Sequence, residues 1–201
     1  AGARAALGRL TGDEGWYTLV GERVLRGEVL YRDFLFTQPP GTPYVYAAWF
    51  ALTEVSLLSA RIFSGLLGGL AVLLTMRAAE RKAGTVAAWI AGLLLAGNLS
   101  FVFDMVGVKT QPLTAFLAAL CLWGLANERA RWGLPVALLS AAALTLTRLS
   151  MLPVLPLTAA YALHAGERKP TTALVVALAI AAVPLGLAFF PAENLWFGLV
   201  E

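Results

Sequence analysis

Apolar and polar positions along this chain follow two regimes. Between Glu14 and Arg26 the apolar residues Trp16, Leu19, Val20 and Val24 recur at helical spacing against Thr18, Glu22, Arg23 and Arg26. That is the pattern of a short amphipathic helix lying on a membrane surface, with Asp13 placed to cap it and Gly27 to stop it. Further on, periodicity gives way to charge-poor runs at 62–76, 83–103, 110–127, 132–147, 149–166 and 170–192. The two runs flanking Arg148 are together far longer than a bilayer needs, and Pro153 and Pro156 would kink them, so they count separately. Six crossings are predicted, at about 60–77, 85–103, 110–126, 133–147, 150–165 and 171–190.

Between the two regimes, residues 28–38 read as extended, and Pro39, Pro40 and Gly41 force a turn. The run from Tyr44 to Ser59 contains Glu54 and is shorter than the roughly 20 apolar residues of a spanning helix, so it reads as interfacial or re-entrant. The predicted fold class is therefore all-α. A polytopic transmembrane bundle at 60–192 follows an extracytoplasmic loop, 1–59, that holds the amphipathic and interfacial helices. Residues 193–201 begin a further outer loop, and residues 1–12 are small and basic, with nothing to hold them in a core. The chain starts on Ala without a signal peptide and stops directly after an apolar run, so it reads as an internal piece of a longer protein.

Composition narrows the functional classes. At 59% hydrophobic and 13% charged residues, with a mean hydropathy of +0.75, the chain is too apolar for a soluble domain, where roughly 25% charge is usual. A net charge of +3 could point to nucleic acid, but the basic residues stand in small groups between apolar runs, as in cytoplasmic membrane loops. No nucleic-acid partner is expected. The single Cys121 lies inside an apolar run, so neither an intrachain disulfide nor a multi-cysteine metal site is expected, and His164 reads as an interfacial side chain. Gly65, Gly68 and Gly69 allow close helix packing, Trp89, Trp123 and Trp132 sit as interfacial anchors, and the sequon at Asn98 lies in an apolar run and reads as coincidental.

Orientation follows from charge. Loops holding Arg77, Arg81, Lys82, Arg129, Arg131, Arg168 and Lys169 fall on one side, and those with Lys109 and Arg148 on the other; seven against two puts the first set inside. If the 44–59 helix does not cross, the acidic stretch faces outside with Lys109 and Arg148. If it does cross, that stretch joins the cytoplasmic loops, and the arginines at 4, 9, 23, 26 and 32 would not object. Run length and Glu54 favour the first arrangement.

The sequence has no histidine-based triad, P-loop or clustered metal site. It does place the acids Asp13, Glu14 and Asp33 ahead of the bundle, and Arg61, Lys109 and Arg148 at the ends of apolar runs on the same side. Such a set suits a reaction in which a carboxylate takes a proton from an acceptor while cations hold a phosphate leaving group. Plainer readings stand beside it: Asp13 as a helix cap, Glu14 as a partner of the helix dipole, and arginines that snorkel to headgroups.

The order of features resembles a known family. An acidic pair opens an outer loop in DEGWYTLVGERVLRGEVLYRDF, QPPG follows, then an interfacial aromatic helix and an arginine entering the next span. This is similar to the membrane glycosyltransferases of the C superfamily, and most of all to the protein O-mannosyltransferase and lipid A aminoarabinose transferase group, family 39-like, over most of residues 12–165. The resemblance implies an inverting transferase that moves a sugar from a polyprenyl-phosphate donor to a lipid, glycan or protein acceptor, in a bacterial plasma membrane with its active site outside. It implies Asp13 as the catalytic carboxylate with Glu14 its partner, and Arg61 and Arg148 on the donor phosphate; Lys109 joins these cations by its place on the same side, and Asp33, Gln38 and Gln111 are candidate substrate contacts. Gln38 stands where relatives often carry Lys or His, Gln111 where Asp-Pro is common, and Arg148 where a Thr-Lys-Gly turn is common. No cofactor is implied, and a divalent metal is left open. The rival readings are a transporter or flippase for a lipid-linked substrate, whose spans would carry a polar path, and a non-catalytic membrane protein.

Overall fold

A glycine ends the first helix where one was expected. In the computed structural model, which describes residues 12–165, 170–191, 193, 194 and 196, α1 (Gly12–Leu25) stops before Gly27, whose φ of 90° suits no other residue as well. Asp13 does not cap it. Gly12 is already helical, so Asp13 and Glu14 both lie in the first turn, where a carboxylate still favours the helix dipole.

The segment after Gly27 is not extended. Asp33 accepts a hydrogen bond from the Val29 amide at 2.8 Å, Leu30 and Phe34 form an isolated bridge, and Tyr31 takes a φ of 62°. A short carboxylate that bonds a nearby amide offers the backbone a turn in place of a strand. The turn buries Leu30, Tyr31 and Phe36 with Val20 of α1, and Phe190 packs edge-on to Tyr31 with ring centroids 5.2 Å apart. Pro40 then stands at the N-terminal boundary of α2 (Gly41–Leu52) with helical φ and ψ, so the two prolines feed a helix directly. A helix of 12 residues is about 18 Å long, which fits an interfacial element. Glu54 falls in the exposed break after it. α1 lies on α2 at Gly21, where an added Cβ would come within 3.1 Å of Phe50 and Tyr46 side-chain atoms.

Ser56 opens α3 (Leu57–Gly97) by accepting a hydrogen bond from the Ser59 amide. The helix continues through the basic stretch expected to be a loop, because Ala78, Ala79, Glu80, Arg81 and Lys82 are good helix formers and Arg77 pairs with Glu80 at 3.0 Å. It breaks at Gly84 (φ 83°, ψ 177°). Gly92 then packs on Met76, eight residues to either side of the break, where a Cβ would meet the sulfur at 2.7 Å. The two arms therefore fold back as an antiparallel hairpin. Asn98, the residue of the sequon, caps α4 (Leu99–Val106) through a bond from the Phe101 amide.

α5 (Thr110–Ala126), α6 (Gly133–Thr147), a 3-10 turn at Leu149–Met151, α7 (Val154–Ala165) and α8 (Pro170–Leu187) follow. Their shared core is mostly alanine and leucine, including Ala137, Leu138, Ala141, Ala159 and Ala179 with Cys121. Gly124 lets α5 and α6 touch, since a Cβ there would lie 2.7 Å from the Ala137 nitrogen. The outward face of the hairpin is apolar, with Val86, Trp89, Leu93 and Leu94 each more than 60% exposed, a surface that water does not favour.

The fold is all-helical among the described residues, and a helical stretch stands at each of the six expected crossings. Among the described residues, only Leu57–Gly97 is by itself long and apolar enough to span a membrane. Leu99–Val106 and Thr110–Ala126 reach that length only as one span bent by 111°, and Gly133–Thr147, Leu149–Ala165 and Thr172–Leu187 are shorter. The first arm of α3 also sets a scale. From Arg61 near its start to Lys82 near its bend is about 32 Å along the axis, close to the roughly 30 Å of a hydrocarbon core.

Candidate active site

The site assembles at the Arg61 end of the helices, and its deepest contact is an ion pair. Glu14 and Arg61 are 1% and 3% exposed. Arg61 Nε donates to Glu14 Oε1 and Nη2 to Oε2, both at 2.9 Å. This planar fork joins α1 to the start of α3 across 47 residues of sequence. Asp13 is the next residue back on the helix and points about 100° away, with its side chain 67% exposed and Lys109 Nζ 3.6 Å from Oδ2. The two adjacent acids thus have different surroundings: Glu14 is sealed behind Asp13, and Asp13 faces out.

Lys109 precedes α5, where the Tyr46 hydroxyl meets both its main chain and Ser64 Oγ, the latter at 2.7 Å. Sequence reasoning missed Tyr17. It lies one turn after Asp13, with its hydroxyl in reach of the Thr110 side chain and within the fields of both Asp13 and Arg148. Burial, and then the Asp13 charge, push its pKa up while Arg148 pulls it down. Tyr17 therefore stays protonated as a donor, and its i+4 spacing from Asp13 was the signal available in the sequence.

Arg148 ends α6. It lines a cavity of about 290 Å³ with Thr37, Gln38, Pro39, Leu149 and Ser150. No carboxylate pairs with it among the described residues. Gln38 is held there through its carbonyl, which accepts from the Tyr31 hydroxyl. Next along the chain, Pro40, Gly41 and Leu146 line a second, apolar cavity of about 500 Å³ with Val29, Tyr44, Gly186, Phe189 and Phe190. Of the other candidates, Gln111 is half-buried beside Thr110, whose hydroxyl faces its side-chain oxygen at 3.4 Å. Asp33 is turned into its own loop, bonded to Arg32 and the Val29 amide. Those two bonds, the Arg32 contact first, hold its pKa at about 2. The structure brings Asp13, Lys109, Tyr17 and Arg148 to one end of the bundle, with Arg61 behind them and Asp33 apart.

A family model for dolichyl-phosphate-mannose-protein mannosyltransferases matches residues 37–190. The chain belongs to this family. Membership makes it a membrane glycosyltransferase. The mannosyltransferase match takes in Gln38, Arg61, Lys109, Gln111 and Arg148 and begins after Asp13, Glu14 and Asp33. No curated protein and no solved structure matches the chain. Among the described residues, no three His, Cys, Asp or Glu side chains gather as a metal site.

Proposed function

We propose that this mannosyltransferase-family chain moves a sugar from a polyprenyl-phosphate donor to an acceptor at the outer face of the membrane, with inversion at the sugar carbon. The observation that carries the reading is the pairing at one end of the bundle of an outward carboxylate, Asp13, with an arginine that lacks a carboxylate partner among the described residues, Arg148, beside an apolar cavity. In this reading the six helical stretches each cross the bilayer. The apolar cavity then lies where a prenyl chain would leave the headgroup region.

Asp13 takes the proton of the acceptor's hydroxyl or amine as that group attacks the sugar carbon from the face opposite the phosphate. The bond from carbon to phosphate oxygen breaks, its electron pair leaves with the polyprenyl phosphate, and no acid is needed. Arg148 and Lys109 stabilise the charge gathering on the phosphate, while Gln38 lines the pocket that receives it. Lys109 serves twice, since its ammonium, 3.6 Å from Asp13 Oδ2, also orients that carboxylate. Arg61 acts from behind, holding Glu14 and with it the first turn of α1. Gln111 and Asp33 remain candidates for substrate contact, Gln111 from the start of α5.

Asp13→Asn tests the assignment. It is expected to leave folding and membrane insertion intact and to lower turnover by roughly 10²- to 10⁴-fold, measured as transfer from a panel of polyprenyl-phosphate sugars. A folded variant that turns over at the parent rate overturns the role of Asp13.

A further inference from the structure

At the end of the bundle remote from Arg61, the bend of α3 and the connection from α5 to α6 enclose a polar cavity of about 310 Å³, lined by Arg81, Lys82, Ala126, Asn127, Glu128 and Arg129. Three cations face one carboxylate there, and that carboxylate is already engaged. Tyr161 of α7 donates to Glu128 Oε2, and Lys82 Nζ lies 3.0 Å from Oε1. Asn127 is committed as well, its side-chain amide donating to the Trp123 carbonyl at 2.8 Å. Arg81 and Arg129 have no carboxylate within ion-pair reach among the described residues, whereas Arg77, one turn earlier, pairs with Glu80. The cavity is thus polar, roomy and cationic in excess. A second feature gives its depth: Trp123 and Trp132 stack with centroids 4.6 Å apart at the same end, and paired indoles favour the headgroup level of a bilayer.

We propose that this cavity binds a phosphate group, that of an anionic phospholipid on the membrane side opposite Asp13, with Arg81 and Arg129 as its ligands. The inference rests on the reading of the helices as crossings. A guanidinium fork matches two phosphate oxygens, and a headgroup at this point touches two connections at once. The lipid would therefore tie the bend of α3 to the start of α6, adding to the clasp that Glu128 forms with Lys82 and Tyr161. Free phosphate shares the chemistry, and the test separates the two sources.

The test is lipid retention by the full chain in nanodiscs that mix phosphatidylglycerol with phosphatidylcholine, read by native mass spectrometry. The readout involves no sugar transfer, so it fails or succeeds independently of the proposed activity. Arg81→Gln and Arg129→Gln are each expected to weaken phosphatidylglycerol retention about fivefold, and the pair about 30-fold, at the usual worth of a basic residue near an anionic surface. Arg77→Gln, which removes equal charge outside the cavity, is expected to change nothing. Equal losses from Arg77→Gln and Arg81→Gln, or undiminished retention in the double variant, overturn the site. Displacement of the lipid by inorganic phosphate at equal phosphate concentration overturns the lipid as its source.

Discussion

Arg61 grips Glu14 through two parallel hydrogen bonds of 2.9 Å, with both side chains almost wholly out of solvent. A buried pair of this type contributes little net stability, because desolvating two charges offsets their attraction, but removing one partner breaks the fork while the other charge stays buried, which costs about 3–5 kcal/mol. Glu14→Gln and Arg61→Gln are therefore expected to destabilise the chain by that amount, and the double variant Glu14→Gln with Arg61→Gln to lose clearly less than the sum of the two. Unfolding in denaturant, run as a double-mutant cycle, measures the coupling. Purely additive losses would mean that the pair does not fasten α1 to α3.

Arg148 makes the opposite forecast. It has no carboxylate to strand among the described residues, so Arg148→Gln is expected to leave stability within about 0.5 kcal/mol of the parent. Loss of a charge-assisted contact of about 1.5–3 kcal/mol weakens donor use by roughly ten- to a hundredfold. The dependence of transfer rate on donor concentration checks this. Unchanged donor dependence would move the phosphate away from the cavity that Arg148 and Gln38 share.

The contrast between these residues shows what the sequence could convey. Hydropathy marked the apolar stretches in which the described helices after residue 56 lie, because burying or facing lipid needs long apolar runs whatever their partners, but it did not show the break at Asn98 that makes Leu99–Val106 a helix of its own. It could not show where basic segments stay helical: charge suggested a loop at 77–84, yet good helix formers carry α3 to Gly84, where the left-handed φ breaks it. Asp13 and Glu14 read as a pair because they are neighbours, but a helix turns neighbours about 100° apart. Glu14 shares a helix face with Gly21, which is also buried. Nothing local told that Arg61 would be its partner. The segment 28–38 was misread because its turn depends on one carboxylate reaching back to the Val29 amide.

That carboxylate yields a prediction in acid. Its hydrogen bonds from Arg32 and the Val29 amide lower the Asp33 pKa from an ordinary 3.8 to about 2. A depressed folded-state value means that stability is present above the unfolded value and is lost as pH falls through the folded one. The turn at 29–33 is expected to hold at pH 4 and to loosen towards pH 2, and Asp33→Asn to abolish the dependence. The NMR shift of the Val29 amide reports it: a midpoint near 4 would show that the bonds are absent in solution.

The proposed placement of the site on the outer side of the membrane can be measured. Arg61 and Lys82 stand about 32 Å apart on one straight arm, with Asp13, Lys109 and Arg148 gathered at the first end and Glu128, Arg129 and the bend of α3 at the second. If that arm crosses the bilayer, the two ends must face opposite compartments, and the excess of basic residues at the second end puts it in the cytoplasm. With Cys121 replaced by Ser, cysteines at Val55 and Ala130 give one reporter at each end. Val55 is 40% exposed in the break between α2 and α3, and Ala130 is half-buried in the α5–α6 connection. An impermeant thiol reagent added to intact cells is expected to label Val55→Cys at once and Ala130→Cys only after permeabilisation. Labelling of both from one side would place the hairpin flat on the membrane. It would remove the outer-face site and the opposed headgroup cavity together, whereas reversed labelling would keep both and exchange their compartments.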